Sequence, residues 1–262
     1  MKTTLIVLAI VAVLAGLVAL AAVGESGPVP AVHRSVVVDA SDSVWCRSAR
    51  SGHHGRGRAG AGQRSCVDVH RCEEVTALGV GGLGSGALPY TVELLATGEN
   101  QDGGASRELG EASYTPQGGL LHGRDQAARA RKAFAAKVAG FCASIQDTRT
   151  SPILEAIRAA VSDLGQYPCG APGVDCEVAV RSDGEENGDQ ALMARLAGTA
   201  KGPVKDPIDL SHIQRVLFCG LHARVVAQRR HGHALSLDQV EKVWREAFTD
   251  PRKVTFLANC PR

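Results

Sequence analysis

Asp39, Ser41 and Ser43 stand at alternate positions in "RSVVVDASDSVW", directly after the apolar run Val36, Val37 and Val38. A strand points alternate side chains to one side, so three oxygen-bearing groups leave the end of a buried strand in the same direction. Asp183 occupies a second such place, in "EVAVRSDGEENGD", and Thr150 and Ser151 open a third segment, "TSPILEAI". Two carboxylates plus several hydroxyls, with no His or Cys required, form a hard oxygen donor set. That chemistry suits Mg²⁺ or Mn²⁺, and Ca²⁺ less snugly. Each segment taken singly has a plainer reading. Asp and Ser cap helices and close turns, "SDGEENGD" is an ordinary acidic turn, and Ser151 before Pro152 is a common helix start. The conjunction at several strand ends is what points to a site.

Those strand ends depend on the elements around them. "SVVVDA", "YTVELLATG", "DCEVAVRSDG", "IQRVLFCGL" and "KVTFLANC" read as five short apolar strands, and "GEASYTP" is the best candidate for an edge strand. Helical patterns separate them. "RDQAARARKAFAAKVAGFCASI" places Phe134, Val138, Phe141 and Ile145 at helical spacing, and "SPILEAIRAAVSDLG" runs from a Ser-Pro start to a stop at Gly165. "DQALMARLAGT" is a short helix and "SLDQVEKVWREAF" an amphipathic one, while "VDVHRCEEVTAL" holds a further short helix. Strands alternating with helices imply an α/β fold with a mostly parallel central sheet and helices on both faces. Continuous apolar strands agree, because central parallel strands are buried on both sides. Ligands of such sheets bind beyond the carboxyl ends of the strands, where strand order switches direction. Asp39 and Asp183 both fall at such ends.

The chain has 262 residues, 44% of them hydrophobic and only 4% aromatic, so its core must be built from Val, Leu, Ile and Ala. A net charge of +2 gives no argument for a nucleic-acid partner. The N-terminus carries Lys2 before an apolar run from Leu5 to Val23, which is an export segment. Residues 1–24 read either as a cleaved signal peptide or as a signal-anchor helix that tethers the chain to the membrane. Residues 25–31 are a linker, and 32–262 are the folded domain. Both readings of the N-terminus place that domain outside the cytoplasm, at a periplasmic or extracellular face.

Eight cysteines suit an exported address and suggest disulfides. Cys169 and Cys176 flank the short loop "GAPGVD"; Cys66 and Cys72 could close a similar loop, or either could reach back to Cys46. A zinc site at "CVDVHRC" with His70 lacks the two-residue spacing of zinc ribbons. The insertion "RSARSGHHGRGRAGAGQR" reads as a solvated Gly/Arg loop, and His231 and His233 as a surface pair.

"DASDS" at Asp39–Ser43 resembles the D-x-S-x-S motif of von Willebrand factor A domains. "SDGEENGD" is similar to that fold's later "DG" loop, and "TSPILEAI" to the threonine segment between them. The resemblance covers roughly Val32 to the C-terminus. It implies a Rossmann-like sheet and a metal-ion-dependent adhesion site. Carried over, Ser41 and Ser43 would contact the ion directly, Thr150 directly or through water, and Asp39 and Asp183 partly through waters. One coordination position would then remain for an acidic side chain of a protein partner. The chain departs from the motif at Asp42, where the family usually has Gly, and in the long insertion that follows. No nucleophile elbow, P-loop, dinucleotide fingerprint or metalloprotease helix is found, so a binding module is expected rather than an enzyme. The alternatives are a metal-dependent hydrolase and a structural envelope domain with a silent site.

Overall fold

The computed structural model describes residues 30–40, 69–81, 88–97, 106–115, 120–144, 151–186, 188–221, 235–257 and 259–260. The export segment at 1–24, most of the linker, Ser41, Ser43, Thr150, Cys46, Cys66, the Gly/Arg insertion, His231 and His233 lie outside the described residues.

Six strands form one sheet: β1 (Ala31–Val38), β2 (Tyr90–Thr97), β3 (Ser106–Tyr114), β4 (Val174–Arg181), β5 (Arg215–Cys219) and β6 (Val254–Leu257). Their spatial order is β3-β2-β1-β4-β5-β6. All neighbours are parallel except β3, which runs antiparallel to β2 at one edge. The strand expected at "GEASYTP" is the second half of β3. Between the strands lie α1 (Val69–Val80), α2 (Leu120–Ser144), α3 (Ile153–Leu164), α4 (Gln190–Leu196) and α5 (Leu237–Arg245). This is the Rossmann-like α/β architecture expected from the sequence.

The valine run of β1 shows why no alternation of polar residues was needed. Val36 and Val38 lie in one core with Val75 and Leu78 of α1 and Phe134 and Val138 of α2. Val37, on the other side, lies in a second core with Ile153 and Ile157 of α3 and Trp244 of α5. A strand with helices on both faces buries every side chain, and each fully buried Val contributes about 1.5–3 kcal/mol. Helix starts follow their sequence signals in two cases. Asp189 caps α4 by accepting from Leu192 N, and Ser236 forms a reciprocal capping box with Gln239 at α5.

Strand order fixes where a ligand can sit. From β1 the chain steps outward to β2 and β3, then returns to lay β4 on the opposite side of β1 and continues to β5 and β6. The switch point is therefore the β1/β4 boundary.

Three disulfides join described residues: Cys72–Cys142, Cys169–Cys176 and Cys219–Cys260. Cys169–Cys176 is the pair expected from its short loop. The expectation for Cys72 is corrected: its partner is not Cys66 or Cys46 but Cys142, 70 residues away on α2. Packing of α1 against α2 on the same sheet face, invisible in local spacing, brings the two together. Among the described residues no helix is long and apolar enough to cross a membrane.

Candidate functional site

Asp39 is the first residue past β1, and its side chain is fully buried. Parallel register places Val38 beside Ala96 of β2 and Arg181 of β4. One residue further on, Thr97, Asp39 and Ser182 therefore come abreast across three strands. Their side chains meet. Ser182 donates its hydroxyl to Asp39 Oδ2 at 2.9 Å, and Thr97 Oγ1 lies 3.5 Å from Asp39 Oδ1. Thr97 also accepts from Ala40 N at 3.0 Å, which holds the chain leaving β1 against the end of β2.

A fourth segment reaches the same carboxylate. Ser151 donates to Asp39 Oδ1 at 3.0 Å. The plainer reading of Ser151 as the cap of α3 does not hold: Pro152 stands at the cap position, and its own side chain makes no capping hydrogen bond. A hydrogen bond donated to a charged, buried carboxylate is stronger than a neutral one.

Asp183 follows Ser182 and is 2% exposed. Its Oδ1 accepts from Glu185 N at 3.0 Å, whereas its Oδ2 is buried with no hydrogen-bond partner among the described residues. The turn after it requires Gly184. That residue has φ +85, and an added Cβ would collide with Leu221. Trp244 of α5 secures the turn by donating its indole N–H to Gly184 O at 3.2 Å. Beside the site, buried Arg181 pairs with Glu74 of α1 at 3.0 Å, tying α1 to the end of β4.

Of the five residues singled out as ligands, Asp39 and Asp183 thus lie at adjoining strand ends at the switch point. Ser41, Ser43 and Thr150 fall outside the described residues. Sequence reasoning missed Ser182 and Thr97 as partners of Asp39. Ser182 adjoins the flagged Asp183, but only β4 lying beside β1 makes it a partner. Among the described residues no group of three or more His, Cys, Asp or Glu side chains is disposed to hold a metal. Any ion here would rely on hydroxyls in addition to Asp39 and Asp183. The orphaned Asp183 oxygen and the hydroxyl-rich surroundings of Asp39 fit a hard cation of that kind.

No family model matches the chain, and no curated protein matches it. Solved structures with a distant likeness include BatB, a conserved hypothetical protein of Bacteroides thetaiotaomicron. It has a TM-score of 0.46 at 16% identity, over 87% of this chain and 91% of that one. The pilus adhesin SpaC of Lactobacillus rhamnosus GG gives 0.43 at 13% identity, over 89% of this chain and 28% of that one. Proximal thread matrix protein 1 of the mussel byssus gives 0.43 at 8% identity, over 89% and 46%. The chain spans less than half the length of the last two. At such distances none of these likenesses assigns it to a family.

Proposed function

We propose that the chain is an exported binding module of the von Willebrand factor A type, which engages a protein partner through a divalent cation at the end of β1. One observation carries this reading. At the switch point of the sheet, Asp39 is buried and oriented by hydroxyls from two separate segments, while the neighbouring Asp183 keeps a buried oxygen with no hydrogen-bond partner among the described residues. An orphaned buried carboxylate oxygen is costly, by about 1–3 kcal/mol or more for a charged group. A cation bound there offsets that cost. Asp39 and Asp183 would hold the ion together with hydroxyls, Ser41, Ser43 and Thr150 being those that the motif supplies. When bound, Mg²⁺ or Mn²⁺ supplies a positive centre with room for an acidic side chain of the partner. Ser151, Ser182 and Thr97 orient Asp39.

The address is part of the proposal. Disulfides persist in oxidising compartments, and the three pairs support a domain on the outer side of the membrane, released or tethered by residues 1–24.

Calorimetry with Mg²⁺ and Mn²⁺ on the full chain tests the reading. About one ion per domain is expected, with loss of binding in Asp39→Ala and in Asp183→Ala. A rival reading, a structural domain with a silent site, draws on Asp39 already accepting hydrogen bonds from the Ser151 and Ser182 hydroxyls. It wins if no divalent ion binds at millimolar concentration.

A further inference from the structure

The loop after β4 carries a second buried carboxylate that takes no part in holding Asp39. Glu186 is 2% exposed. Its Oε2 accepts from Leu154 N at 2.7 Å, in the first turn of α3. Its Oε1 accepts from Gly188 N at 2.5 Å and Asp189 N at 3.0 Å, within its own loop. One side chain thus bridges the segment carrying Ser182 and Asp183 to the segment carrying Ser151. The two backbones also press together. A Cβ on Gly188 would lie 2.7 Å from Pro152 Cβ, so only glycine lets the loop close on the start of α3. Nothing caps α3 from its own side chains, and Glu186 supplies the missing acceptor from 32 residues away. Burial pushes its carboxyl up, the three N–H donors pull it back, and the Asp189 charge pushes it up further.

We infer that Glu186 is a positioning residue: it latches α3 to the β4 loop so that Ser151 and Ser182 converge on Asp39, and it thereby sets the ion affinity of that centre. The effect on affinity rests on the proposed function; the latch itself does not. Removing one oxygen acceptor releases one side of the bridge, because Gln keeps a single oxygen for three donors. Partners that orient ligands without touching the ion typically change metal affinity by about 10- to 100-fold.

The test is Mn²⁺ titration of the full chain by calorimetry at low temperature, comparing wild type, Glu186→Gln and Glu177→Gln. Glu177 is a control of similar burial. It pairs with Arg34 and lies within β4, away from the strand ends. The expected result is Mn²⁺ binding weakened about 10- to 100-fold in Glu186→Gln and unchanged in Glu177→Gln. Equal affinity in Glu186→Gln and wild type overturns the inference, as does equal weakening in both variants, which would mean general destabilisation. If Glu186→Gln does not fold, Gly188→Ala replaces it, since it keeps the carboxylate and displaces the loop, and the same weakening is expected. Should wild type bind no Mn²⁺, the proposed function fails, and amide exchange judges the latch alone. Faster exchange at Gly184, whose N–H donates to Ser182 Oγ at 2.9 Å, supports it in Glu186→Gln. Unchanged exchange there overturns it.

Discussion

Two carboxylate-bearing regions lie toward opposite ends of the same sheet, and their surroundings differ in sign. At the strand ends, Asp39 meets hydroxyl donors from Ser151 and Ser182. Toward the strand starts, a cleft of about 200 Å³ is lined by Ser35, Glu93, Glu108, Glu111, Asp163 and Tyr167, among others. There Glu93 stands directly opposite Glu111 in the antiparallel pair, an arrangement that disfavours charge on Glu93. Burial pushes the Glu93 carboxyl up to about 7, the Asp163 charge adds to this, and Glu108 and Glu111 add further; the Ser35 hydroxyl opposes them. Burial of a carboxylate therefore does not define a site. What defines it is whether the neighbours donate or repel. The first region surrounds its carboxylate with hydroxyl donors, whereas the second raises a carboxyl so that it takes up a proton near neutrality.

The largest contrast concerns the covalent staples of the two regions. Cys219–Cys260 joins the end of β5 to the segment after β6 and closes a separation of 41 residues, whereas Cys169–Cys176 closes one of 7 beside Tyr167. In the chain-entropy model these loops are worth about 4 and about 2.5 kcal/mol. Replacing each pair by Ala and measuring urea midpoints should show the larger loss for Cys219–Cys260. The reverse order would mean that native-state contacts, not loop length, govern the two ends.

Next in size is Asp39→Ala, which leaves the Ser151 and Ser182 hydroxyls buried without their acceptor. A loss of about 1–3 kcal/mol is expected by chemical denaturation without any ion. Added Mn²⁺ should raise the Tm of wild type and leave that of the variant unmoved. A variant as stable as wild type would erase the distinction between the two regions.

Glu93 supplies the pH contrast. Its ordinary value is 4.5 and the folded chain holds it near 7. Between those values the folded chain keeps a proton that the unfolded chain has released, so this group's contribution to stability falls as pH rises from about 4.5 through 7. Glu93→Gln should flatten that slope and raise the Tm at pH 8, read by thermal melts across the range. An unchanged slope would place the titration elsewhere. The smallest effect is expected for Ser35→Ala. It removes the 3.2 Å hydrogen bond to Glu93, costs about 0.5–1 kcal/mol at pH 8, and moves the Glu93 carboxyl further up, measurable by NMR titration.

The sequence by itself determined the elements. Uninterrupted valines in β1, the Ser-Pro start and Gly165 stop around α3, and the amphipathic pattern beginning at Ser236 are local signals, and each became the element it implied. It also determined one disulfide, because six residues between Cys169 and Cys176 leave little freedom in how the loop closes. Asp39 and Asp183 were legible for the same reason: each ends an apolar strand, and a strand end in a parallel sheet is where polar groups gather. Tertiary structure alone decided who meets whom. Ser182 and Thr97 became partners of Asp39 because β4 and β2 flank β1 in matched register, although they come 143 and 58 residues later in the chain. Ser151 gave up capping for Asp39, Glu186 took over the start of α3, and Cys72 found Cys142 across two packed helices. Local spacing carries no record of such pairings. A side chain chooses its partner by the free energy of burying both together, and which groups are buried together is settled only when the sheet has assembled.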